Sequence, residues 1–135
     1  MKRILLVFLA VAAATAGGVV AFAQPFSVLG YHGGPDRSGH FIVPNLSWNR
    51  ARSLHFDSAF HAELSGQLYA QPLYWRPADS RPPMLIAVTE SNVVHALDAR
   101  TGHELWKREL GTPVKREALP CGDIAPLGIT GTPVI

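Results

Sequence analysis

The sequence predicts an all-β fold, and three observations lead to this prediction. From Gly66 onward, short apolar runs rich in β-branched and aromatic residues are separated by turn-forming residues. Helix is disfavoured in the same stretch, because β-branched residues such as Val88 and Val93 are restricted at χ1 and turn residues recur about every six to nine positions. A seven-residue pattern also occurs twice along the chain, which is typical of repeat proteins.

Residues 1–23 predict a secretory signal peptide. Two positive charges, Lys2-Arg3, precede an uncharged apolar run over 4–14, and the segment ends in Ala21-Phe22-Ala23. A charged start, a short apolar middle and an A-x-A end are the three parts of such a signal. Cleavage is expected before Gln24, so the mature protein is expected to be periplasmic or secreted and to have no stable membrane anchor. An uncleaved membrane-spanning anchor is the alternative.

Residues 24–65 are predicted to form an irregular leading segment. Glycine and proline are scattered through it, and neither a helical nor an alternating apolar period is sustained. One short strand is expected in this segment, over residues 40–43.

Residues 66–110 predict four antiparallel strands in a row. The strands are expected over 67–75, 84–89, 93–98 and 104–109. A proline-rich loop at 76–83 joins the first two, and tight turns at 90–92 and 99–102 join the others. The last of these turns ends in a glycine, which readily takes the positive φ that such a reversal needs. Consecutive strands joined by short turns make a meander.

Residues 111–135 are interpreted as a linker followed by the first strand of a second unit. The segments LYAQPLY and ITGTPVI, which begin 61 positions apart at Leu68 and Ile129, share the order apolar, any, small, polar, proline, apolar, apolar. Proline removes one donor from a sheet ladder, so these segments fit an edge strand better than a central one. The sequence is therefore expected to be an amino-terminal part of a longer repeat protein.

Charge and cysteine content restrict the partners. Once Lys2 and Arg3 leave with the signal, ten Lys and Arg residues balance ten Asp and Glu residues. No basic cluster remains for a phosphate backbone, so nucleic acid is not expected as a partner. Cys121 is the one cysteine, and in a compartment that permits disulfides it is expected to be free or paired outside this sequence.

Residues 96–106, ALDARTGHELW, fit the pattern A-x-D-x-x-T-G-x-x-x-W at every fixed position. The matching residues are Ala96, Asp98, Thr101, Gly102 and Trp106. The segment resembles the tryptophan-docking repeat of the pyrroloquinoline-quinone β-propeller family, which includes quinoprotein alcohol dehydrogenases. The resemblance implies that 66–110 form a propeller blade, that Trp106 packs between neighbouring blades, and that carboxyl-terminal blades are the partners. Residues 31–39 and 121–134 also resemble that family, less specifically.

Three functional hypotheses follow from the resemblance. The first is an exported quinoprotein-like repeat scaffold, a fragment with no complete active site, for which no catalytic residue and no metal ligand is assigned. The second is the amino-terminal part of a dehydrogenase of alcohols or sugars that uses pyrroloquinoline quinone, with quinone and calcium bound only in a full-length protein. Adjacent cysteines usual in that family are missing, because Gly122 follows Cys121. The third is a periplasmic interaction scaffold similar to the propeller lipoprotein that helps assemble outer-membrane barrels.

Structural roles are expected for the other reactive side chains. His55 and His61 are close in sequence, but a metal site needs three or four convergent ligands. Asp98 is expected to stabilise a turn rather than act as a general base. Cys121 lacks the orienting third group that an activated nucleophile needs. Trp75 offers a ring on which a planar cofactor can stack, and its role stays open.

Overall fold

The computed structural model describes residues 26–135, which contain one four-stranded antiparallel sheet and little helix. The strands are β1 (Leu73–Trp75), β2 (Met84–Val88), β3 (Val93–Asp98) and β4 (Glu104–Glu109), in the sheet order β1-β2-β3-β4. The helical elements are α1 (Trp48–Arg52) and two short 3₁₀ helices, Tyr31–Gly33 and Arg116–Ala118. The predicted all-β class and the four-stranded meander are confirmed. The predicted signal peptide lies outside the described residues.

One face of the sheet carries a small hydrophobic core. Leu73, Ile86 and Ala96 lie in register across β1, β2 and β3, and all three are buried. Met84 completes the buried cluster, and Trp75 and Val94 pack against it while partly exposed. Burial of a side chain such as Leu73 contributes roughly 1.5–3 kcal/mol. These few contacts therefore hold β1, β2 and β3 together.

The opposite face of β3 is covered by the segment that precedes the sheet. Val93, His95 and Leu97 alternate along β3 and are buried on this face. The Ser65 amide donates to His95 Nε2 at 3.2 Å, and the Thr89 hydroxyl donates to the Ser65 carbonyl at 2.6 Å. The leading segment is thus a layer of the fold, and it explains why β3 is buried on both faces.

Residues 40–43 do not form the short strand that the sequence predicted. They have no strand partner among residues 26–135, and Pro44, which follows them, has no amide hydrogen to donate. Helix α1 forms shortly afterwards, at Trp48–Arg52. The Ser47 hydroxyl accepts a hydrogen bond from the Arg50 amide at 3.3 Å, and such an N-cap stabilises the first turn of a helix.

Strand β1 is shorter than predicted, because it begins at Leu73 rather than at residue 67. The residues before it make hydrogen bonds outside the sheet. The Gln67 carbonyl accepts from the Glu90 amide at 2.9 Å, and the Gln71 amide donates to Thr132 Oγ1 at 3.0 Å. Pro72 then removes one donor immediately before the strand begins.

Residues 111–135 fold back along the sheet. Val114 and Leu127 form an isolated antiparallel pair, with two amide-to-carbonyl bonds of 2.8 Å. Further on, the Ile129 amide donates to the Thr89 carbonyl at 3.3 Å. The trailing segment thereby passes the turn between β2 and β3 and reaches the residues that precede β1.

Candidate functional site

Asp98 organises the turn between β3 and β4. Its Oδ1 accepts from the Arg100 amide at 2.8 Å and from the Thr101 amide at 3.1 Å, and its carbonyl accepts from the Gly102 amide at 2.9 Å. These hydrogen bonds to the ionised carboxylate, above all the one from Arg100, hold the pKa of Asp98 below its ordinary value. The geometry is that of a turn anchor, as the sequence predicted for this aspartate.

Gly102 allows the leading segment to lie against this turn. Its φ is +79°, and a Cβ at this position would overlap the His61 carbonyl. The His61 amide donates to the Thr101 carbonyl at 2.9 Å. Glycine is therefore required here for its conformation and for the close approach of a second backbone.

Trp106 lies opposite Ala96 in the register of β3 and β4. Ala96 is fully buried, whereas Trp106 is 48% exposed, and every residue of β4 is exposed. The indole lines an open hollow of about 420 Å³ together with Val94 and Arg108. A large aromatic surface is thus available on the face of the sheet, and the predicted packing of Trp106 between blades stays a prediction.

His95 is held between two elements. Its Nε2 accepts from the Ser65 amide, so Nδ1 carries the proton and donates to Glu104 Oε2 at 2.9 Å. The imidazole is 1% exposed, and the carboxylate of Glu104 reaches the surface. Sequence reasoning missed this pair, although a histidine at a core-facing position of β3 is a signal that a polar partner must be near.

Glu90 ties the trailing segment to the turn between β2 and β3. It is fully buried, and its Oε2 accepts from the Gly128 amide at 2.6 Å. Its Oε1 has no hydrogen-bond partner among the described residues. Sequence reasoning assigned Glu90 only to a tight turn and did not identify this contact.

Gln71 brings three segments together. Its backbone amide donates to Thr132 Oγ1 at 3.0 Å, and its side-chain Oε1 accepts from the His32 amide at 3.1 Å. Its Nε2 donates to the Gly30 carbonyl at 3.4 Å. Gln71 and Thr132 hold the same position in the two copies of the seven-residue pattern, so the two copies meet in space.

Within residues 26–135, no group of three or more His, Cys, Asp or Glu side chains is arranged to hold a metal ion. His55 bonds only locally, to the Ser53 carbonyl, and Cys121 is exposed with a free thiol. In the same range, no helix has the length and apolar character to cross a membrane. The reactive side chains singled out from the sequence therefore do not converge on one centre in the described part of the chain.

Comparisons with protein-family models, with curated proteins and with solved structures find no match for this chain. The likeness of residues 96–106 to the tryptophan-docking repeat therefore remains a resemblance. Three features of the geometry bear on function: the anchored turn at Asp98, the exposed indole of Trp106 on the sheet, and the direct contact between the two copies of the seven-residue pattern.

Proposed function

We infer that this protein is an exported, quinoprotein-like β-propeller scaffold, in which residues 66–110 form one blade and residues 111–135 lead into the next. The observation that carries the proposal is the 3.0 Å hydrogen bond from the Gln71 amide to Thr132 Oγ1, between equivalent positions 61 residues apart. In stacked repeats each unit contacts its neighbours, and equivalent residues of adjacent units lie side by side.

The β3–β4 turn supports the same proposal. Asp98, Thr101 and Gly102 make the contacts that the repeat motif calls for in a tight reversal. Trp106 presents a large ring to the space beside the sheet, where an adjacent blade would cover it. In this proposal the motif residues are structural, and quinone and calcium are assigned to no residue of this chain.

Export is the part of the proposal that depends on residues 1–23. Expression of the full sequence in a bacterium is expected to yield a periplasmic product that begins at Gln24, as measured by the mass of the purified protein. Replacing the small residues of the cleavage site, as in Ala21→Arg with Ala23→Arg, is expected to leave the segment attached. A cytoplasmic product with an intact amino terminus would contradict export.

The scaffold proposal is tested by the thermal unfolding of the exported protein. One blade without neighbours leaves an apolar face open, so we expect a broad transition of weak cooperativity in the circular dichroism of the monomer. Sedimentation velocity shows whether the sample is monomeric. A single sharp transition in a monomer would contradict the assignment, because it would indicate an independently stable domain.

A further inference from the structure

A cavity of about 530 Å³, open to solvent on one side, lies where three separate parts of the chain meet. Tyr31 and Arg37 come from the leading segment, Tyr69 from the residues before β1, and Thr130 and Thr132 from the trailing segment. A volume of this size accommodates a ligand as large as a monosaccharide.

Several hydrogen bonds connect the walls of the cavity and leave the Arg37 guanidinium free. The side-chain amide of Gln71 accepts from the His32 amide and donates to the Gly30 carbonyl. His32 Nδ1 pairs with the Arg37 carbonyl at 3.1 Å, and the Gly39 amide donates to the His32 carbonyl at 3.2 Å. The loop that carries Arg37 is thereby fixed before any ligand arrives, which lowers the entropic cost of binding.

In the described part of the chain, the residues that line the cavity keep one guanidinium and some of their hydroxyls free of intramolecular partners. The Arg37 guanidinium and the hydroxyls of Tyr31 and Thr130 make no hydrogen bond or ion pair with other residues in the described range 26–135. Thr132 accepts from the Gln71 amide and keeps its own proton for donation. No Asp or Glu lines the cavity. One cation, several hydroxyls and no carboxylate favour a ligand that carries a single carboxylate and further oxygens.

Two tyrosine rings supply an apolar surface for such a ligand. Tyr31 is 48% exposed and Tyr69 is 55% exposed, and Tyr31 stacks on His32 with ring centroids 3.9 Å apart. The negative face of an aromatic ring attracts the slightly positive C–H groups on the flat face of a sugar ring. Aromatic faces next to hydroxyls and one guanidinium therefore match a sugar that bears an acid group.

We propose that this cavity binds a uronic acid, with the carboxylate paired to Arg37, the ring against Tyr31 or Tyr69, and sugar hydroxyls bonded to Thr130 and Thr132. The inference is independent of the scaffold proposal, since it needs only the cavity and its lining. A monosaccharide of this size is expected to bind with a dissociation constant on the order of 1 mM.

The test is a titration of the exported protein, expressed from its full sequence, with sodium D-glucuronate, D-glucose and sodium glycolate, followed by NMR. Glucuronate is expected to shift the amide signals of Tyr69, Thr130 and Thr132 and to bind at least about tenfold more tightly than glucose or glycolate. Glucose lacks the carboxylate, and glycolate lacks the ring. Equal binding of glucuronate and either control, or no binding of glucuronate, would overturn the proposal.

Substitutions of Arg37 and Tyr69 test the binding roles of these side chains, and a control variant tests for a general loss of the fold. Arg37→Gln is expected to weaken glucuronate binding at least about tenfold, and Arg37→Lys less, because lysine keeps the charge but not the planar fork. Tyr69→Leu is expected to weaken it several-fold through loss of the ring. Arg52→Gln, an exposed change outside the cavity, is the matched control and should leave binding unchanged. Wild-type affinity in Arg37→Gln, with an otherwise native spectrum, would overturn the assignment.

Discussion

At the scale of single residues, Asp98 is the best-defined contact of the repeat motif, because one carboxylate oxygen accepts from two successive amides. A carboxylate with a lowered pKa stabilises the fold when it is ionised. Its contribution is complete above the unfolded pKa of about 3.8 and is lost as the pH falls through the lower folded value. The turn is therefore expected to weaken in acid.

Asp98→Asn removes this pH dependence while it keeps a side-chain acceptor. The wild-type protein is expected to lose more of its stability than the variant between neutral pH and pH values below about 3.8, measured as the urea concentration that removes half of the sheet signal. Asp123→Asn, an exposed substitution in the trailing segment, serves as the control and should follow the wild type. Identical acid profiles for the wild type and Asp98→Asn would refute the role of the carboxylate.

Gly102 and Gly111 offer a matched pair of substitutions. Both have positive φ, +79° and +118°, but a Cβ at Gly102 meets the backbone of His61 whereas a Cβ at Gly111 meets nothing within 4 Å. Gly102→Ala is therefore expected to cost at least about 1 kcal/mol more than Gly111→Ala, because only the first also crowds a neighbouring backbone. The rate of hydrogen exchange at the His61 amide, which donates to the Thr101 carbonyl, is compared between the two variants and the wild type. Equal rates in Gly102→Ala and Gly111→Ala would show that the close approach of the His61 backbone is unimportant.

At the scale of elements, β3 and β4 differ in how they are covered. β3 is packed between the core on one face and the leading segment on the other, while all six residues of β4 are exposed. Lys107, Arg108 and Glu109 place charges along β4, which is the edge strand of the described sheet. Charged side chains on an edge strand discourage pairing with other chains. The interaction expected of β4 is therefore through its face, at Trp106, rather than through its edge.

The trailing segment depends on Glu90. Glu90→Ala leaves the half-buried Gly128 amide without its partner and is expected to cost about 1 kcal/mol or more. The loss should appear as faster hydrogen exchange at the amides of Gly128 and Ile129. Glu117→Ala, which removes an exposed carboxylate from the same segment, should leave those rates unchanged. Unaltered protection of Gly128 in Glu90→Ala would mean that the carboxylate does not hold this segment.

At the scale of the whole molecule, a small core supports a comparatively long chain. The buried cluster contains four side chains, Leu73, Met84, Ile86 and Ala96, and much of the apolar surface outside it is exposed. Large exposed hydrophobic side chains include Trp106, Leu105 and Leu110, at and just after β4. Trp106 and Leu105 are neighbours on β4, so their side chains point to opposite faces of the sheet, and the exposed indole on the core face is the place of contact expected with another unit.

Leu73→Ala and Trp106→Ala distinguish the core from the contact surface. Leu73 is fully buried, so its truncation is expected to cost about 2–5 kcal/mol and to abolish protection of β2 and β3 amides from exchange. Trp106 is half exposed, so its truncation in the monomer is expected to cost less than about 1 kcal/mol, despite the larger side chain.

The same Trp106→Ala change is expected to cost about 3–5 kcal/mol in a longer chain whose next repeat covers the indole. A comparison of the two contexts therefore measures the proposed docking directly. If Trp106→Ala were as damaging as Leu73→Ala in the monomer, the indole would belong to the core of this unit rather than to an interface.

The positions of β2, β3 and β4 and the anchored turn at Asp98 followed from the sequence alone, because alternation, β-branched residues and turn chemistry act between near neighbours. The sequence also shows that one seven-residue pattern recurs 61 positions later. It does not show that Gln71 and Thr132, at equivalent positions of the two copies, are hydrogen-bonded. Only the tertiary structure paired Ser65 with His95, 30 positions apart, and Glu90 with Gly128, 38 positions apart. It alone brought together the three segments around the open cavity beside Gln71, since such contacts depend on which distant segments cover the sheet, and local periodicity carries no information about that choice.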